Sequence, residues 1–143
     1  MVTLIAAFLG VGFIPWWPAT WASAIAAVLA WFANDTLVYW TVGLTLAGFW
    51  ACRPSQEVFN SKDPKQFVMD EVCGMMLSVW WLPKNTTVYL AAFILFRILD
   101  AWKPWPISKI QDSKHPSSIV WDDLAAGVGA NLILQAALQF LPK

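Results

Sequence analysis

The sequence predicts an all-α, compact, membrane-embedded bundle of about five helices, preceded by an irregular Gly/Pro-rich N-terminal segment. Three observations predict it. The 143 residues are 59% hydrophobic and only 13% charged, whereas a typical soluble domain is roughly a quarter charged. There are 11 tryptophans, a residue that gathers at membrane interfaces because its ring is apolar while its N–H seeks a partner. Long uncharged stretches are broken by proline and turn residues, and in lipid only helices or closed barrels satisfy the backbone. At this length a single domain, 1–143, is expected.

Residues 1–34 carry no charge. A short helix should come first. The stretch 10–23 (GVGFIPWWPATWAS) is too rich in Gly and Pro for one regular helix, so a broken segment should follow, then a helix over about 19–33. A tight polar turn is expected at 34–36, where Asp35 or Thr36 could cap the next helix, over 37–52. Both helices fall short of the ~20 residues of a full crossing. The segment 53–66 is polar, with Pro54 and Pro64 as breakers, and reads as a loop. A third helix is expected over 67–82, stopped at Pro83. After a turn at 85–87, a fourth runs over 88–102 until Pro104 and Pro106 forbid continuation. A charged loop over 103–120 leads into a fifth helix, opened by Asp122 and Asp123 and continuing to about 141.

Composition narrows function by exclusion. The formal net charge is zero, which leaves no basic surface for nucleic acid. Cys52 and Cys73 form no C-x-x-C pair, and a single histidine, His115, excludes most His-based metal sites. The chain starts Met1, Val2, Thr3, without the basic residue that opens a secretory leader. Neither Cys52 nor Cys73 is followed by the arginine of a C-x5-R nucleophile loop, because Val58 and Val79 stand there. A D-x-D pair is absent, and one histidine is too few for acid-phosphatase-like lipid enzymes.

Topology supplies the positive argument. If 53–66 lies on the cytoplasmic side, then Arg53, Lys62, Lys65, Arg97, Lys103, Lys109 and Lys114 fall on or near that side. Only Lys84 and Lys143 fall opposite, a clear positive-inside bias. The same arrangement brings Asp70, Glu71, Asp100, Asp122 and Asp123 to one membrane face. Carboxylates at membrane depth are costly and usually mark a functional site, and all-oxygen clusters suit Mg²⁺ or Mn²⁺. The bland alternatives are helix-dipole compensation by the two acidic pairs, an N-cap role for Asp122 or Asp123, an i,i+3 ion pair between Arg97 and Asp100 and a snorkelling Lys103. The Trp80–Trp81 and Trp102/Trp105 pairs read as interfacial anchors.

Four blocks in order carry a resemblance. Residues 95–107 (LFRILDAWKPWPI) closely resemble the signature of bacterial phosphatidylglycerophosphatase A. Residues 10–23 resemble that family's N-terminal P-G-T-x-G-S block, 63–74 (DPKQFVMDEVCG) its D-x6-D-E-x2-G block, and 121–127 (WDDLAAG) its D-D-x3-A-G block. Ala19 and Ala22 stand where the family usually has glycine, and 113–118 (SKHPSS) where it carries a Gly-rich run.

The resemblance implies a Mg²⁺-dependent enzyme that removes the terminal phosphate of phosphatidylglycerophosphate to give phosphatidylglycerol. It would be multi-pass in the bacterial inner membrane, with its active site facing the cytoplasm. Its partners would be the lipid substrate and the bilayer, with no protein partner. The expected metal ligands are Asp70, Glu71, Asp100, Asp122 and Asp123, with Mn²⁺ as a possible substitute. Asp70, Asp100 and Asp123 would be catalytic, and Thr20, Lys62, Arg97 and Lys103 would bind substrate. Metal-activated water and a carboxylate nucleophile such as Asp70 or Asp123 both stay open. The rival reading is a small membrane transporter or ion-binding subunit, which would spread its carboxylates over several depths.

Overall fold

A computed structural model describes residues 1–113 and 115–140. Lys114, Lys143 and the expected helix end near residue 141 lie outside the described residues. Those described form seven α-helices and no strand: α1 (Val2–Ala6), α2 (Pro18–Ala33), α3 (Leu37–Phe59), α4 (Met69–Ser78), α5 (Thr86–Trp102), α6 (Ile107–Gln111) and α7 (Ser118–Phe140).

The irregular N-terminal segment is present. Phe8, Leu9, Gly10 and Trp17 all have positive φ, and a 3₁₀ turn at Val11–Phe13 lies among them. Gly12 packs against the Gln66 carbonyl, which a Cβ there would approach to 2.1 Å, and Val68 N donates to Ala6 O at 3.0 Å. These contacts fasten the N-terminal segment to the chain entering α4.

Several expected boundaries are corrected. The segment 53–66 is not wholly a loop, because α3 runs through Pro54 to Phe59. Ala51, Cys52 and Ser55 are buried there, Cys52 Sγ bonds Pro116 O at 3.0 Å, and tertiary burial outweighs the cost of the proline. The segment 103–120 contains α6 and the start of α7. Because α7 starts at Ser118, Asp122 and Asp123 sit a turn inside it and neither is an N-cap. Thr36 occupies the N-cap position of α3 without capping it; its hydroxyl donates back to Ala33 O at 2.5 Å. The expected 67–82 helix is shorter, ending at Ser78. Asn85 begins α5, its side chain accepting from Thr87 N at 2.8 Å. Trp80 is no exposed anchor, since its Nε1 bonds Thr41 Oγ1 at 3.0 Å. Trp81, Trp102 and Trp105 are exposed.

Helix α4 is the centre of the bundle, packed by α2, α3, α5 and above all α7. Val72, Cys73, Gly74, Met75 and Met76 are all buried, as befits a helix apolar on every side. Around it, α2 and α5 run antiparallel, and the Trp31 ring near the end of α2 packs edge-on against Tyr89 near the start of α5, centroids 5.1 Å apart. The outward faces carry many large apolar side chains, among them nine of the tryptophans. Among the described residues, no helix is long and apolar enough to cross a membrane.

Candidate active site

Each acidic residue reaches the site for a local reason. Asp70 and Glu71 lie in the first turn of α4, where the helix dipole favours negative charge. Asp123 projects from the second turn of α7 toward them because α4 and α7 touch at Gly74 and Gly127: a Cβ on Gly127 would stand 2.3 Å from Gly74 O, and one on Gly74 2.6 Å from Asp123 O. Only glycine permits that approach. Carboxylate oxygens of Asp70, Glu71 and Asp123 lie within 4.8 Å of one another.

The remaining two carboxylates each hold a cation. Asp100 Oδ2 accepts from Arg97 Nη1 at 2.6 Å, an i,i+3 pair on one face of α5. Lys103 ends α5 with φ 43°, which turns its ammonium onto Asp122 Oδ2 at 2.5 Å. That ammonium stands 3.8 Å from Asp100 Oδ1 and 4.0 Å from Asp123 Oδ1. All five expected acidic residues therefore converge at one end of the bundle, together with Arg97 and Lys103.

Five carboxylates face two cations, and Asp70, Asp122 and Asp123 are no more than 5% exposed. Burial, then the neighbouring Glu71, pushes the Asp70 carboxyl well above the usual carboxylate range, and burial raises Glu71 as well. Burial lowers the Lys103 ammonium, but the hydrogen bond it donates to Asp122 and the charge of Asp123 more than restore it. Glu71 Oε2 and Asp123 Oδ2 are buried with no hydrogen-bond partner. Unpaired buried carboxylate oxygens are costly, and two of them within a trio of neighbouring carboxylates fit a hard divalent cation.

The cluster opens onto a cavity of about 840 Å³ whose polar wall is Thr20, Asp63, Lys65, Glu71 and Arg97. Trp16 and Trp17, near the start of α2, stand on its apolar side. Thr20 is thus part of the cavity wall. Lys62 is not: its Nζ bonds Ser113 O at 3.0 Å and Gln111 O at 3.5 Å, on a separate surface depression. Lys65 takes the cavity position instead. Its neighbour Pro64, two residues into the D-P-K-Q run, was a signal that the chain turns there, but nothing in the spacing told which lysine faces inward.

The sequence model of the phosphatidylglycerophosphatase A family matches residues 4–138. The chain belongs to that family. An Escherichia coli phosphatidylglycerophosphatase A is 34% identical over 132 residues, 87% of this chain and 76% of the relative. The Haemophilus influenzae phosphatidylglycerophosphatase A is 28% identical over 142 residues, 94% of this chain and 87% of the relative. A Bacteroides thetaiotaomicron protein provisionally named a phosphatidylinositol-3-phosphatase is 33% identical over 147 residues, 94% of this chain and 91% of the relative. No solved structure matches the chain. As a phosphatidylglycerophosphatase A family member the chain is a phosphatase, and its carboxylates gather at one end rather than along a pathway. The transporter reading is set aside on both grounds.

Proposed function

We propose that this enzyme hydrolyses the terminal phosphate monoester of phosphatidylglycerophosphate, releasing inorganic phosphate and phosphatidylglycerol. A divalent cation, Mg²⁺ or Mn²⁺, would be held by Asp70, Glu71 and Asp123. One observation carries the reading: Glu71 belongs both to the buried carboxylate trio and, with Arg97, to the wall of the large cavity. A phosphate in that cavity would be within a space walled by both the Arg97 guanidinium and Glu71 of the proposed cation site.

In the hydrolysis a water oxygen bonds to phosphorus, the bond from phosphorus to the glycerol oxygen breaks, and that oxygen takes up a proton. Bound cation supplies neutralisation of phosphoryl charge and a more acidic water. Arg97, with one N–H fixed on Asp100, keeps further N–H groups for phosphoryl oxygens. In this reading Asp100 and Asp122 act chiefly by orienting Arg97 and Lys103, and Lys103 limits repulsion among the acids it touches.

The exposed tryptophans and aliphatic side chains support a membrane-embedded enzyme in the bacterial inner membrane. Arg97, Lys103 and Lys65 lie at the site, and Lys62 reaches the chain beyond α6. Lys84 lies at the far end against the Trp31 carbonyl. That asymmetry supports a site facing the cytoplasm.

Phosphate release by purified protein in detergent tests the reading. Phosphatidylglycerophosphate should be hydrolysed, excess chelator should stop the reaction, and Mg²⁺ or Mn²⁺ should restore it. No release from that lipid, with or without metal, would overturn the proposal. Phosphatidylinositol 3-phosphate belongs in the same assay, given the Bacteroides relative's name, and preference for it would reassign the substrate.

A further inference from the structure

The cavity at Arg97 does not end there. Thr20 of α2 lines it, and Ala24, four residues on, lines a second cavity of about 460 Å³; on α5 Arg97 and Phe93 are related in the same way. Four residues make about one helical turn, so each pair shares a helix face. The two cavities therefore lie end to end in one furrow between α2 and α5.

The second cavity is lined almost entirely by apolar side chains, including Ala24, Ala27, Val28, Leu90 and Phe93. Ala24 and Ala27 leave room that larger side chains would fill. At its far end Trp31 packs on Tyr89. From Thr20 to Trp31 the furrow follows eleven residues of helix, about 16 Å at ~1.5 Å per residue. One leaflet of hydrocarbon is about as deep, roughly half of ~30 Å.

We propose that this furrow seats one acyl chain of the lipid substrate, with the chain along Ala24, Ala27 and Phe93 and the phosphate end at Arg97. A polar head that holds Arg97 and Lys65, joined to an apolar trough of leaflet length, complements a single lipid carrying a phosphate monoester. The inference rests on the phosphatase reading for its head end.

Photo-crosslinking tests the furrow independently of turnover. Two probes would be flashed on ice in phosphatidylcholine nanodiscs: phosphatidylglycerophosphate with a diazirine half-way along one chain, and phosphatidylcholine with the same chain. Adducts from the first should concentrate on Val28, Leu90 and Phe93, several-fold above those from the second. They should also exceed adducts on Leu46 and Leu132, which are exposed on other faces. Equal labelling by both probes, or adducts mainly at Leu46 and Leu132, would overturn the proposal. A second arm compares kcat/KM for the long-chain lipid with kcat/KM for its deacylated, water-soluble headgroup. Ala27→Trp should lower that ratio at least about tenfold, the effect of displacing roughly two methylenes, while Leu132→Trp should not. An unchanged ratio in Ala27→Trp counts against the furrow. The substrate assignment fails separately, if wild-type protein releases no phosphate from phosphatidylglycerophosphate wherever the adducts fall.

Discussion

Gly127 of α7 rests on the backbone of Gly74 of α4, so close that a Cβ on Gly127 would stand 2.3 Å from the Gly74 carbonyl oxygen and 3.1 Å from its Cα. One turn before each glycine stands a carboxylate, Asp123 before Gly127 and Asp70 before Gly74. The glycine contact is the fulcrum that sets those two carboxylates, with Glu71, within 4.8 Å.

Gly127→Ala should therefore separate α4 from α7. The expected cost is about 1–3 kcal/mol, typical of overpacking a tight contact, read as a lower Tm in detergent, with activity falling alongside. Gly43, also in a helix, has nothing within 4 Å of its Cβ position. Gly43→Ala should leave Tm unchanged or raise it. Equal tolerance of both substitutions would show that the close approach is not needed.

Metal binding can be read without turnover. Asp123→Asn and Glu71→Gln each remove one anionic oxygen from the trio, and each should weaken Mn²⁺ binding by at least about tenfold, measured by electron paramagnetic resonance of the free ion. Asp63→Asn, in the cavity wall but outside the trio, should bind Mn²⁺ nearly as well as wild type. Wild-type protein that binds no Mn²⁺ would refute the assignment.

Much of this site was legible in the sequence because the clues are local. Carboxylates beside glycines at fixed spacing, and the R-x2-D-x2-K run on α5, mark which side chains matter, and the up-and-down order of helices places them at one end. What the sequence could not separate is the division of labour. Asp100 and Asp122 look like Asp70 and Asp123 until coordinates show Arg97 and Lys103 resting on the first two. The helix boundaries that went astray share a cause as well. Pro54 and the polar residues after it read as a loop, yet burial of Cys52 and Ser55 holds that stretch in α3. Likewise Ser118 and Ile119 are buried and carry α7 back beyond its acidic pair.

Arg97 and Asp100 can be tested as a pair. Arg97→Lys keeps the charge but loses the planar fork that binds phosphate and carboxylate together, so kcat/KM should fall about 10²-fold or more with Tm little altered. Asp100→Asn frees Arg97 from its 2.6 Å partner, and should lower activity less than Arg97→Lys does. If both variants instead lose about 3–5 kcal/mol of stability, as for a broken buried pair, the contact is structural.

Lys65 and Lys62 make a sharper contrast, being three residues apart. Lys65→Ala, at the cavity, should raise KM several-fold with kcat retained, and more so at low salt, since an exposed lysine acts through screened charge. Lys62→Ala removes only the bonds to Ser113 and Gln111 and should leave KM near wild type. The reverse order would restore the substrate role to Lys62.

Helix α4 holds two of the proposed metal ligands, yet it is only ten residues long and leans chiefly on α7. Its C-terminal end depends on α7 too: Asn131 Nδ2 donates to Ser78 O, the last carbonyl of α4, at 3.1 Å and to Trp80 O just beyond it at 2.8 Å. Helix α7 follows α4 and α5 in the chain and so leaves the ribosome after them. Until it emerges, α4 lacks Gly127 to pack on, Asn131 to close its end and Asp123 to complete the trio. The order of synthesis thus leaves the site incomplete until α7 has emerged, and a chain released short of Asn131 would carry Asp70, Glu71, Arg97 and Asp100 without an enzyme around them.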